Sequence, residues 1–181
     1  IAGGCNAILI VNSSDTMLPS LAKLCEENEV YFGLQWRRVV SDEIKAELDK
    51  CPYFVGNTCE DETEIATRLA TNLANAGVTQ LAMIGRPVGD TTHDARWQGV
   101  VNVCDSTDME LVAEYRGQSG AASAAETMEA VEKFITGYPD LEAIFLTGGT
   151  SSQLEGALAA LGKHNKRGEI KLAVVDFIDA D

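Results

Sequence analysis

Seven short apolar runs alternate with amphipathic stretches of helical period along the 181 residues of this chain. The runs occupy residues 6–11, 30–35, 53–56, 80–85, 110–115, 141–146 and 169–175; a Gly, Asn or Ser turn follows most of them, and six helical stretches fill the gaps. That alternation predicts a parallel, helix-covered α/β sheet, because parallel strands need long crossovers and helices supply them. Such sheets gather ligands outside the carboxyl ends of their strands, in the loops that lead into the helices. Functional residues are therefore expected in seven short loops, with most of the chain serving as scaffold.

The gaps read as helices by the three- and four-residue recurrence of their apolar side chains. Met17, Leu21, Leu24 and Cys25 predict the inward face of a helix over 17–27, with N-cap chemistry before it in Asn12, Ser13, Ser14 and Asp15. A short helix over 42–50 is stopped by Cys51 and Pro52. Glu60, Asp61 and Glu62 suit a helix amino terminus electrostatically, and Ile65, Leu69 and Leu73 form the stripe that follows. Residues 86–94 read as a polar loop before a helix carrying Trp97, Val100, Val101 and Cys104. Met128, Val131 and Ile135 point inward from a helix over 124–136, as do Leu154, Ala157, Leu158 and Leu161 from the last helix. The polar break at 57–59 is the one hinge the sequence offers.

A formal net charge of −14 argues against direct nucleic-acid binding by this segment, since that binding depends on a positive surface. Nothing approaches the run of about 18 apolar residues of a membrane span, and no basic segment followed by an apolar stretch marks a signal peptide. The five cysteines, Cys5, Cys25, Cys51, Cys59 and Cys104, have no CxxC spacing, so neither a metal site nor a disulfide framework is indicated. Cys25 and Cys104 fall on apolar helical faces and Cys5 precedes a strand, which predicts mostly buried thiols and weighs toward a reducing setting. Residues 1–5 superficially resemble a lipoprotein cleavage box; a helix end, a Gly cap and a turn into the first strand account for them better.

Several short motifs stand in a recognisable order. Val55-Gly56 ends a strand, Ile65 to Leu73 form an Ala/Leu-faced helix, Ala82-Met83-Ile84-Gly85 ends the next strand, and Arg96-Trp97-Gln98-Gly99 opens an R-x-x-G helix. Further on come Tyr138-Pro139-Asp140-Leu141-Glu142-Ala143-Ile144-Phe145, then Gly156-Ala157-Leu158-Ala159-Ala160-Leu161, then Val174-Val175-Asp176-Phe177. This series resembles the type I periplasmic (sugar-type) solute-binding proteins and the related effector domains of LacI-like repressors. The resemblance implies two Rossmann-like parallel-sheet lobes that close on a ligand in the cleft between them by a clamshell motion. Residues 1–58 would then be three strands of the N-terminal lobe and residues 59–181 four strands of the C-terminal lobe. The first two strands of the first lobe and the return crossing are missing from the pattern, so the chain reads as a fragment with an incomplete first lobe.

The resemblance also points to site residues. Arg96 matches the family arginine that donates to ligand oxygens from the start of a second-lobe helix, where a planar five-donor fork suits hydroxyls or carboxylates. The plain alternative is a solvated helix arginine. Alanine in its place is expected to weaken binding without unfolding the protein. Gln35 and Trp36 stand where sugar-binding relatives carry an Asp-Arg pair; the amide can bond hydroxyls and the indole can stack on a sugar face, unless Trp36 simply packs in the core. Arg37 and Arg38 form a tight basic doublet whose default is solvation. Gly149 and Thr150, within Thr147-Gly148-Gly149-Thr150, replace the family's Asn-Asp with an apparent two-residue insertion and read as a ligand-facing turn rather than a phosphate loop. Asp176 ends the last strand near the family's ligand-binding aspartate, with Asp179 competing for that role. Asn12, Ser13 and Ser14 are already explained as turn and cap residues.

No catalytic motif, cofactor fingerprint or clustered metal-ligand set is present; His93 is placed in the polar loop and His164 at a basic helix end. The expected function is capture of a small polar, sugar-like solute as the receptor of an ABC importer, with a membrane permease as partner and an extracytoplasmic, membrane-anchored location. The alternative is the effector-binding domain of a LacI-like transcription regulator, which would be cytoplasmic. A flavodoxin-like or Rossmann-like enzyme would need a catalytic cluster at the strand ends, and none is found.

Overall fold

The computed structural model describes residues 3–12, 14–118, 120, 122–148 and 151–176, and it divides into two compact units, Ile1–Asp61 and Glu62–Asp181. The first unit is a parallel sheet of β1 (Ala7–Ile10), β2 (Tyr31–Trp36) and β3 (Phe54–Cys59), in that order. Helices α1 (Leu18–Glu27) and α2 (Asp42–Leu48) cover one face, around Leu18, Cys25, Phe32, Leu34 and Leu48. The inward face of α1 is Leu18, Ala22 and Cys25, whereas Met17 and Leu24 are largely exposed. The shift has a local cause: a 3-10 turn capped by Ser14 takes up Asp15–Met17, and Pro19 starts the α-helix at Leu18.

The expected hinge at 57–59 is strand. Asn57, Thr58 and Cys59 pair with Leu34, Gln35 and Trp36. The Asn57 side chain accepts from the Val39 N–H at 3.3 Å and donates to the Arg37 carbonyl at 3.1 Å. A boundary after residue 58 would therefore cut β3, and the first unit runs on to Asp61. The thiols also differ from expectation: only Cys25 is buried, Cys51 and Cys104 are half-buried, and Cys5 and Cys59 are exposed. Cys5 precedes the edge strand β1 and Cys59 ends the edge strand β3, where little covers them.

The second unit is a parallel sheet of β4 (Gln80–Gly85), β5 (Glu110–Arg116), β6 (Ala143–Leu146) and β7 (Lys171–Val174), ordered β5-β4-β6-β7. On one face α3 (Glu62–Asn75) and α4 (Thr91–Cys104) pack against Leu81, Met83 and Phe145. On the other, α5 (Ala124–Gly137) and α6 (Ser151–Lys163) pack against Ala82, Ile84 and Ile144. β4 and β6 are buried on both faces, which explains the continuous apolar runs at 80–85 and 141–146. Among the described residues no helix is long and apolar enough to cross a membrane.

The helix stripes are narrower than the apolar pattern suggests. Ala66, Ala70 and Leu73 are the buried positions of α3, with Ile65 and Leu69 only partly covered, and Leu158 of α6 is exposed. Alanines let α3 approach α4 closely, and Gly99 completes that approach. A Cβ there would collide with the Thr63 carbonyl and sit 3.0 Å from Ala66 Cβ. Gly99→Ala is expected to destabilise the protein by about 1–3 kcal/mol, the usual cost of overpacking. Thermal melts followed by circular dichroism check this, and an unchanged midpoint would show that the helices shift apart freely.

The strand order also fixes where to look for function. β4 connects through α4 to β5 on one side, while β6 lies on the other side and leads through α6 to β7. The topological switch therefore falls between the carboxyl ends of β4 and β6.

Candidate functional site

Polar residues from distant parts of the chain converge at that switch. Asp90 caps α4, its carboxylate accepting from the His93 backbone N–H at 3.3 Å, so the expected polar loop ends there and His93 belongs to the first helical turn. Two turns of the same helix bring Arg96 to the end of the sheet. Arg96 is 4% exposed, which excludes the solvated-arginine alternative. Its Nε donates to Glu62 Oε2 at 2.6 Å and its Nη1 to the Thr147 carbonyl at 2.8 Å. Nη1 and Nη2 also donate to the two carboxylate oxygens of Asp176. Burial works against the guanidinium charge, but the bonds to Glu62 and Asp176 outweigh it and hold the pKa above its ordinary value.

Arg96 and Asp176, two of the residues expected to bind ligand, are thus brought into direct contact. Asp176 has φ 63°, in the left-handed region that Asp tolerates better than most residues.

Thr147 is held by two side chains and given room by a glycine. Arg96 bonds its carbonyl, His93 Nδ1 lies 2.9 Å from its Oγ1, and Gly85 leaves room beneath it. The imidazole fills the space above Gly148, where a Cβ would lie 2.5 Å from His93 Cε1. Burial pushes the His93 pKa down to about 4, with Arg86 and Arg96 adding to the shift and Asp90 and Asp176 opposing it. The ring is therefore uncharged near neutral pH. Sequence reasoning missed His93, Glu62 and Thr147 as members of this cluster. Asp90, three residues before His93, was the available signal, since an N-cap there draws His93 into the helix.

Two further arginines complete this end of the sheet. Arg86 pairs with Asp90 at 3.4 Å. Arg116, at the end of β5, donates to Asp94 Oδ1 at 2.7 Å and stacks over Trp97 at 3.6 Å. Among the described residues no three His, Cys, Asp or Glu side chains are grouped as metal ligands. Surface concavities of about 360 Å³ beside Cys104 and Met109 and about 540 Å³ beside Glu132 and His164 lie at the carboxyl ends of helices, away from this cluster.

The remaining candidates are placed as follows. Gln35 and Trp36 end β2 in the first unit. Gln35 is half-buried; Trp36 is 71% exposed, so it is not a core residue. Its φ of 70° is a strained value for a bulky side chain, of the kind concentrated at functional positions. Arg38 is exposed and Arg37 half-buried. Asn12 is buried and donates to Asp15 Oδ1 at 3.2 Å, while Asp15 Oδ2 accepts from the Val40 and Ser41 N–H groups, a structural role. Gly149, Thr150, Asp179, Ser13 and the start of the chain at Ile1 and Ala2 lie outside the described residues.

The periplasmic binding protein domain family matches residues 1–181. Among solved structures, the chain is similar to a sugar ABC transport substrate-binding protein from Bordetella parapertussis, with TM-score 0.76 and 17% identity, covering 98% of this chain and 52% of that one. It is similar to a periplasmic ribose ABC transporter from Conexibacter woesei, with TM-score 0.78 and 18% identity, covering 98% and 56%. A third is the periplasmic binding component of an arabinose ABC transporter from a Shewanella species, bound to L-arabinofuranose, with TM-score 0.75 and 20% identity, covering 98% and 57%. No curated protein matches the sequence. At these identities the likeness establishes the fold: parallel-sheet α/β units of the type I periplasmic binding protein, spanning little more than half the length of these relatives.

Proposed function

The chain belongs to the periplasmic binding protein domain family, and from that premise we propose that it is part of the solute receptor of an ABC importer. Its solute is small, polar and sugar-like, and the receptor works outside the cytoplasm, delivering to a membrane permease. The observation that carries this reading is the convergence of Arg96, Asp176, His93 and Thr147 at the switch between β4 and β6. Buried, mutually bonded polar groups at that place hold a ligand-facing edge in a fixed geometry, which lowers the entropy lost on binding. In the first unit, Gln35 and the exposed, strained Trp36 offer a hydrogen-bonding amide and a stacking surface at the corresponding strand end. Gly149 and Thr150, which follow β6 in the sequence, are proposed as further contacts.

A thermal-shift panel of pentoses, hexoses, polyols, purines and small organic acids, followed by calorimetry on any hit, tests the reading. A sugar or polyol is expected to raise the melting midpoint. Stabilisation by purines or acids alone would overturn the assignment of solute class.

A further inference from the structure

We propose that Arg96 is a positioning residue rather than a ligand donor: it latches Asp176, and the Asp176 carboxylate is what a solute meets. The site then selects hydrogen-bond donors, hydroxyl or ammonium groups, and rejects carboxylates and phosphates. This rests on the reading that the strand ends of the second unit bind a solute.

The donor count carries the argument. A guanidinium has five N–H groups. Nε–H goes to Glu62, the two on Nη1 go to Thr147 and Asp176, and one on Nη2 goes to Asp176, which leaves a single N–H. Arg96 is buried at 4% exposure, whereas the Asp176 side chain is 57% exposed. The buried partner has four of its five N–H groups engaged within the protein, and the exposed partner faces outward. The left-handed backbone of Asp176 would relax without a tether, and the bidentate contact with Arg96 is that tether.

Charge at this end of the sheet points the same way. Arg86, Arg96 and Arg116 are each paired, to Asp90, to Glu62 and Asp176, and to Asp94. Three guanidinium groups thus face four carboxylates among the described residues, and His93 adds no charge near neutral pH. The amino terminus of α4 would ordinarily attract an anion, but Asp90 already caps it. Among the described residues an incoming carboxylate finds each guanidinium already facing a carboxylate, Arg86 through a single contact of 3.4 Å, and it meets Asp176 as a like charge. A hydroxyl or ammonium group meets an acceptor already held in place.

The test has an arm that needs no solute. In the protein labelled with nitrogen-15, the Arg96 Nη–H groups, which bond Asp176, are expected to exchange with solvent about tenfold or more slowly than those of exposed Arg38, and Asp176→Asn to speed them. Exchange as fast as Arg38 would overturn the latch whether or not any sugar binds. The second arm titrates galactose, galactosamine and galacturonate by calorimetry. The neutral or amino sugar is expected to bind at least about tenfold more tightly than the acid, and Asp176→Asn to remove most of that preference. Galacturonate binding best would overturn donor selection while leaving the solute-binding reading intact. A slow Arg96 signal with no binding by any of the three would support the latch and count against the solute class.

Discussion

Arg96→Ala destabilises the second unit by about 3–5 kcal/mol and lowers its melting temperature by roughly 10 °C or more, the cost of removing one partner from a buried ion pair. The expectation from sequence was that alanine would weaken binding and leave the fold intact. The structure changes that expectation, because Arg96 is an inner joint and not a surface donor. It ties the first residue of α3 to the ends of β6 and β7 through Glu62, the Thr147 carbonyl and Asp176. With the guanidinium gone, Glu62, whose side chain is 14% exposed, keeps its charge in a poorly hydrated place, and the Thr147 carbonyl loses its donor. Asp176 contributes less to the loss, since water already reaches it. Urea denaturation of Arg96→Ala, Glu62→Gln and the double variant separates these contributions. The double variant should recover part of the loss, because neutralising Glu62 removes the stranded charge. An Arg96→Ala protein that unfolds at the wild-type urea concentration would show that the network carries no stability.

The scaffold was legible because strand and helix periods are written in apolar residues. The limits of β4 follow from Gln80 to Gly85 directly, and α2, α4 and α5 begin at residues whose neighbours Ser41, Asp90 and Ser123 cap them. What periodicity blurs is which of two adjacent stripes turns inward. In α1 the answer depended on Pro19, which shifts the helix start by one residue, and in α3 on how closely Ala66 and Ala70 let another helix approach. The site was legible only in part. Arg96 and Asp176 were named separately, yet their contact spans 80 residues of sequence and depends on the order β4-β6-β7, which no local pattern encodes. Burial of His93 escaped for a related reason: the ring is enclosed by Thr147 and Gly148, from a strand end 54 residues away.

Acidification unfolds the protein partly through His93, and the effect spans roughly pH 6.5 down to pH 4. The folded protein keeps this ring neutral until about pH 4, while in the unfolded chain it takes up a proton near 6.5. Between those values the unfolded chain holds more protons, so stability rises with pH and falls as acid is added. The contribution is fully present above about 6.5 and lost by about 4, and the gap corresponds to roughly 3 kcal/mol. The cause is burial first, because an imidazolium at 6% exposure would lose hydration. Arg86 and Arg96 add repulsion, while Asp90 and Asp176 offset part of it. Other groups also weaken the fold in acid, since Glu126 and Glu142 accept backbone hydrogen bonds that hold their pKa values below the ordinary range. Their window lies lower, so comparing pH 7 with pH 5 isolates the histidine. His93→Gln keeps a polar partner for Thr147 Oγ1 and cannot take up the proton. The wild type should lose much more stability than this variant between the two pH values, with the ring Hε1 resonance titrating near pH 4. A midpoint near 6.5 in the folded protein would mean that the ring is solvated and that Thr147 is held by Arg96 alone.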